Sequence, residues 1–217
     1  IKFSSSETFI KTLCITSSVP SEGKSSLSAM LAINTSELDK KILVIDGDLR
    51  RPTLHKKFSA DNISGLSNIL TDERSNWRDN LRTFDDYPNL SLITGGKVPP
   101  NAMKLLNSNK MKSLINDIKE SNQFDLIIID SPPLLGLSDS LIISEFVDAV
   151  VLTISLNKVR RNFVQGSLSK IRSSRSNCIG VIINNVEKGK DFKNSTISKY
   201  GYYGYYGYLD KYIDQEE

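Results

Sequence analysis

Leu13 to Leu31, reading LCITSSVPSEGKSSLSAML, constrains the fold more than any other stretch of the chain. An apolar run of strand character (Leu13, Cys14, Ile15, Thr16) gives way to a small-residue turn, then Gly23-Lys24-Ser25, then a helical pattern. A phosphate-binding loop requires that order. Backbone N–H groups and a helix N-terminus face the anion, Lys24 adds a point charge, and the Ser25 hydroxyl can hold magnesium. The first glycine usual in such loops, five positions before Gly23, is Ser18 here. A serine-rich helix start without ligand shares this composition but does not need the strand before it.

The rest of the chain repeats the strand-then-helix order. Strands are expected over residues 11–17, Lys41–Ile45, Asn89–Thr94, Phe124–Ile129, Ala149–Ile154 and Ile179–Ile183. Helices are expected from Lys24 to about Leu38, over Ser108–Ser121 and over about Val159–Arg172, with shorter ones at Thr53–Phe58, Leu66–Leu70 and Trp77–Leu81. In the first helix Leu27, Met30, Leu31 and Leu38 recur at helical spacing; in the second, Met111, Leu114, Ile115 and Ile118 do. Continuous apolar strands alternating with helices imply an α/β fold in three layers, a mostly parallel central sheet with helices on both faces. Ligands in such folds bind outside the carboxyl ends of the strands. Gly23-Lys24-Ser25, Asp46 with Asp48, Asp130 and Asn184 each follow a different strand.

Composition excludes several functions. A length of 217 residues suits one domain with a tail, and a net charge of +3 without aromatic-basic clusters argues against nucleic acid as a partner. Cys14 and Cys178 sit in apolar runs and read as buried, reduced thiols. No apolar run reaches the roughly 18 residues that span a bilayer, and no signal peptide opens the chain. It starts at Ile1 without methionine and reads as a fragment whose parent can carry a membrane segment.

Asp46 and Asp48 stand two residues apart after the second strand, followed by Arg50 and Arg51; a solvated turn is the bland alternative. Magnesium takes one or two carboxylates plus phosphate oxygens, which fits the pair. Asp130, after Leu126-Ile127-Ile128-Ile129, stands where phosphoryl-transfer enzymes place a further metal-side carboxylate. Asn184 either caps a strand or reads an adenine edge with its amide. His55, the single histidine, reads as a surface residue and leaves no Ser-His-Asp or Cys-His constellation.

SSVPSEGKSS, KILVIDGDLRRPTLHKKF, LITGGKVPPNAMKLLNSNKM, FDLIIIDSPPLLGLSDS and CIGVIINNV, with a tyrosine-rich end, resemble the cytoplasmic domain of the bacterial tyrosine kinases. These are P-loop NTPases related to the MinD/ParA-like group. The resemblance covers nearly the whole chain. Its most discriminating motif is Asp46-x-Asp48-x-Arg50, while Ser18 and Val19 stand where the partitioning ATPases carry a signature lysine.

The resemblance implies ATP and Mg2+ as cofactors. Ser18, Pro20, Ser21, Glu22, Gly23, Lys24, Ser25 and Ser26 would wrap the phosphates, and Asn184 would contact adenine. Ser25, Asp48 and Asp130 would hold the metal; Lys24, Asp46, Asp48 and Asp130 would form the catalytic set. Asp46 would face the incoming phenol. An aspartate near 4 and a tyrosine near 10 differ by about six pKa units, so Asp46 is expected to orient the hydroxyl and take its proton late. Arg50 is a candidate to balance the acidic cluster. Ser21 replaces a glycine common in the family. Relatives also carry an oligomerisation segment ahead of this sequence.

Residues 1–186 are expected to form the kinase domain and 187–217 a linker and flexible tail. Seven of the eight tyrosines lie in that tail: Tyr200, Tyr202, Tyr203, Tyr205, Tyr206, Tyr208 and Tyr212. Glycine every third residue disfavours a helix, and no alternation buries a face. The resemblance makes them acceptors for autophosphorylation in trans. It also implies a ring-forming homo-oligomer, a transmembrane activator fused or separate, an opposing tyrosine phosphatase, a place on the cytoplasmic face of the membrane, and control of surface polysaccharide polymerisation and export. Two other readings share the loop: an ATPase switch that transfers phosphate only to water, and a nucleotide-binding regulator with neither product and an adhesive tail.

Overall fold

The computed structural model describes residues 10–156, 159–174 and 176–185. The seven tail tyrosines and the expected 186/187 boundary lie outside the described residues. Seven strands, β1 (Thr12–Ser17), β2 (Ile42–Asp46), β3 (Arg82–Phe84), β4 (Tyr87–Ile93), β5 (Leu126–Asp130), β6 (Ala149–Ser155) and β7 (Cys178–Asn184), form one sheet. Their order is β3-β4-β2-β5-β1-β6-β7, and every pairing except that of β3 with β4 is parallel.

Alternation along the strands divides the apolar residues between two cores. Leu43, Ile45, Ile127 and Ile129 face one core; Ile42, Val44, Leu126 and Ile128 face the other. The second core is covered by α1 (Lys24–Ser36) and α2 (Leu54–Lys57), which contribute Ala29, Ala32 and Leu54. The first is covered by α3 (Leu66–Thr71), α4 (Ala102–Leu106), α5 (Asn109–Glu120), α6 (Asp139–Ser144) and α7 (Arg161–Ser173). The expected three-layer parallel architecture is the one observed.

The α5 stripe is as expected, with Met111, Leu114, Ile115 and Ile118 all buried. The α1 stripe holds in part: Leu27 and Leu31 are half-buried against the second core, whereas Met30 and Leu38 are exposed, and the fully buried face is Lys24, Ser25, Ser28, Ala29, Ala32 and Ser36. Small side chains let the helix start lie close against the strand ends, and Ser28 brings a hydroxyl to Asp130 (3.3 Å). Three short elements add to the expected set. β3 closes a hairpin through Asp85-Asp86, α4 starts where the Asn101 side chain accepts the Lys104 N–H (2.9 Å), and α6 follows the Pro132-Pro133 stretch. Trp77–Asn80 is a 3₁₀ turn.

Candidate nucleotide site

The loop between β1 and α1 holds itself together. Glu22 is fully buried; its Oε2 accepts the Val19 N–H (2.7 Å) and its Oε1 the Ser155 N–H at the end of β6 (2.9 Å). The carbonyls of Ser17 and Ser18 accept from Leu134 and Leu135 (2.8 and 3.1 Å), tying the loop to the chain after Asp130. Asn184 donates its amide to the Glu22 carbonyl (3.1 Å). Gly23 has φ of +89°, a left-handed backbone that favours glycine, and a Cβ there would also push the Asn184 amide out of its place. Ser21, in place of the family glycine, also adopts a left-handed backbone, φ +64°.

Register puts the acidic residues together. Asp46 and Asp130 are partners across the neighbouring strands β2 and β5, and Lys24 reaches into the space in front of them. Its Nζ lies 3.1 Å from Asp48 Oδ2, 3.8 Å from Asp130 Oδ2 and 3.2 Å from Ser25 Oγ. Burial alone would lower the Lys24 pKa, but Asp130 and Asp48 outweigh it and the net shift is upward. Burial raises the Asp130 pKa, with Lys24 and the Ser25 hydroxyl opposing. Behind the cluster, burial pushes the Cys14 thiol up to about 12, so it stays protonated; Cys14 is buried, Cys178 half-buried, and both are free.

Asp46 is fully buried and engaged. Its Oδ2 accepts from Thr53 and Leu54 N–H (both 2.9 Å) and its Oδ1 from Asp48 N–H (3.3 Å). Burial, followed by the charge of Asp130, pushes its pKa up to about 7. Oδ1 keeps one acceptor site open, so a phenol reaching Asp46 need not displace a backbone N–H. The Arg50 guanidinium makes a two-point contact with buried Asp139 (2.6 and 3.2 Å) on α6, and the charge of Asp48 adds a smaller attraction, so Arg50 balances the acidic cluster only from a distance.

In front of this assembly opens a cleft of about 530 Å³. Pro20, Ser21, Gly23, Lys24, Ser25 and Ser26 form its loop side, as the sequence predicted for phosphate contacts, and Asp48 joins them. Ser18, Glu22, Asp46, Asp130 and Asn184 stand behind that lining rather than in it. The Ser18 hydroxyl is buried with no hydrogen-bond partner among the described residues. The donor set fits magnesium. It offers the Ser25 hydroxyl, Asp48, and an Asp130 Oδ2 that is buried without a hydrogen bond. Among the described residues no group of three or more His, Cys, Asp or Glu side chains encloses a metal, so phosphate oxygens and water would complete its shell.

A protein-family model described as an AAA domain matches residues 10–177. The tyrosine-protein kinase YwqD of Bacillus subtilis (strain 168) is 35% identical over 202 residues, 93% of this chain and 81% of that protein. This chain belongs to the bacterial tyrosine-kinase family. Another member, the putative tyrosine-protein kinase CapB of Staphylococcus aureus, is 34% identical over 191 residues, 88% of this chain and 82% of that one. The solved kinase domain of the Escherichia coli tyrosine kinase ETK superposes with a TM-score of 0.79 at 30% identity, covering 85% of this chain and 71% of that one. The MinC:MinD complex of Aquifex aeolicus shares the fold at 20% identity (TM-score 0.68, covering 87% and 71%).

Several residues in and around the cleft escaped the sequence reading. Ser28 is one helical turn after Lys24, a spacing that places both on one face of α1. Arg51, Thr53 and Lys57 form another side of the cleft, and Leu135 and Leu137 an apolar one. Asp139 had no signal, because its partner Arg50 is 89 positions away in sequence.

Proposed function

We propose that this protein transfers the γ-phosphoryl group of ATP, as its magnesium complex, to tyrosines Tyr200–Tyr212 of another copy. Through this transfer it would regulate polymerisation and export of a surface polysaccharide at the cytoplasmic face of the membrane. The observation that carries the reading is the meeting of Lys24, Asp48 and Asp130 from three separate strand ends behind one loop.

The loop amides and Lys24 would bind the phosphates, and Lys24 must leave Asp48 to do so. Magnesium, held by Ser25, Asp48 and Asp130, would neutralise charge on the β- and γ-oxygens. The phenolic oxygen bonds to the γ-phosphorus as the bond to the β–γ bridging oxygen breaks, and ADP leaves with that electron pair. With a pKa of about 7, Asp46 stands about three units from a phenol instead of about six, a better match for taking the proton late. Asn184 would contact adenine, and its hydrogen bond to the Glu22 carbonyl, which ties it to the loop, supports that reading.

Each added phosphate brings roughly −1.5 to −2 charges, which would loosen a ring of copies. A tyrosine phosphatase would restore it. The chain spans 25% of the etk protein of Escherichia coli, and a chimeric protein CapA2B2 is a structural relative (TM-score 0.79, 28% identity); both support an activating segment, fused or separate. Intact-mass analysis after incubation with Mg-ATP, activator included, tests the reading, with Lys24→Met as control. Mass gains of one or more phosphates in the tail are expected. Phosphate release without phosphotyrosine would instead identify an ATPase switch.

A further inference from the structure

Of the cations on the cleft, two are already committed: Lys24 to Asp48 and Arg50 to Asp139. Arg51 and Lys57 are not. Both side chains are exposed on the cleft wall, and neither makes an ion pair or side-chain hydrogen bond among the described residues. They flank Thr53 and Leu54, whose N–H groups are held by Asp46, so the segment bearing them is anchored to the same buried carboxylate that backs the site. Half-buried Leu135 and Leu137 add an apolar strip to the cleft. A wall of two unpaired cations beside apolar side chains fits an acidic peptide with interspersed aliphatic residues.

The chain contains such a peptide. Tyr200 to Leu209 carries no charge, whereas Tyr212 lies between Asp210 and Asp214, with Glu216 and Glu217 beyond, Lys211 the single cation against these four carboxylates, and Leu209 and Ile213 among them. Resting on the kinase reading above, we propose that Arg51 and Lys57 dock the acidic residues around Tyr212 of another copy, making Tyr212 the first acceptor of the cluster. Its phosphate then stands four residues after Tyr208, the spacing Glu216 has from Tyr212. A phosphate on Tyr208 stands two residues after Tyr206, the spacing Asp214 has from Tyr212. Tyr208 and Tyr206 have Asp210 alone at these spacings, two and four residues on, so each transfer supplies the second negative group that the next acceptor lacks, and modification runs from Tyr212 back toward Tyr200.

The test is a time course in the full chain with its activator, incubated with Mg-ATP and mapped by peptide mass spectrometry. Phosphate on Tyr212 is expected first, then Tyr208, then the tyrosines before it. Exposed ion pairs are individually weak, so Arg51→Ala with Lys57→Ala should slow Tyr212 about three- to tenfold. Fluorescent ADP should bind this variant within about twofold of the unaltered protein. Charge reversal, Arg51→Glu with Lys57→Glu, should slow it further and be rescued by Asp214→Lys with Glu216→Lys in the tail. Even occupancy of all seven tyrosines from the start, an equal loss in ADP binding, or absence of rescue overturns the docking role while leaving the kinase reading standing. No phosphotyrosine at any site overturns both.

Discussion

The two sides of the cleft are built on opposite terms. On the inner side Lys24, Asp48 and Asp130 are buried and paired through the lysine; on the outer side Arg51 and Lys57 are exposed and unpaired among the described residues. A ligand on the inner side must break an existing ion pair and replace it with something better. Phosphate and a divalent cation do so together, one taking the lysine and the other the carboxylates. A ligand on the outer side breaks nothing and gains only screened attraction. The inner side is therefore suited to chemistry, and the outer to choosing what reaches it.

The largest expected effect comes from breaking the inner side. Lys24→Met should cut tail phosphorylation at least about 100-fold, the scale of losing a group that stabilises charge in the transition state. It also leaves Asp48 and Asp130 unpaired, so magnesium should raise the melting temperature of this variant more than that of the unaltered protein. Next, Glu22→Gln replaces an acceptor of two N–H groups with one acceptor and one donor. Thermal or denaturant unfolding should show a loss of ~1–3 kcal/mol.

The inner side also sets a pH dependence. In EDTA, Asp46 with a pKa of about 7 keeps in the folded state a proton that the unfolded chain, near 3.8, has released. Stability falls as pH rises between those values, and Asp130 acts in the same direction. Acidifying from pH 7.5 to 5.5 should raise stability by ~1–2 kcal/mol; a fall in melting temperature would refute it. Ser21→Gly, which removes a left-handed serine, should stabilise by up to ~1 kcal/mol in the same assay. Arg51→Ala with Lys57→Ala, on the outer side, should change unfolding by no more than ~0.5 kcal/mol. A larger loss would mean that side is structural and blur the contrast between the two.

The sheet was legible in the sequence because its central strands are unbroken apolar runs, and four-residue runs such as Ile42–Ile45 and Leu126–Ile129 have few other uses. The strand-end positions of Lys24, Asp46, Asp48 and Asp130 followed from that. What escaped is what depends on close approach or distance along the chain. The buried face of α1 is serine and alanine, which hydropathy does not flag. The edge strand β3 has three residues, too few for a pattern. A carboxylate in a turn looks the same in sequence whether it turns inward, as Asp46 and Glu22 do, or outward, and Arg50 found a partner in α6 that no local spacing announces.

Glu22 has one more consequence. Its carboxylate fastens the loop at Val19 and also to β6, and Asn184 fastens the same residue's carbonyl to β7. A loop of small residues would otherwise lose much conformational freedom when it closes on an anion. Here that loss is taken during folding, by contacts made before any nucleotide arrives, so the cradle is cast in advance and binding is spared the entropy of shaping it.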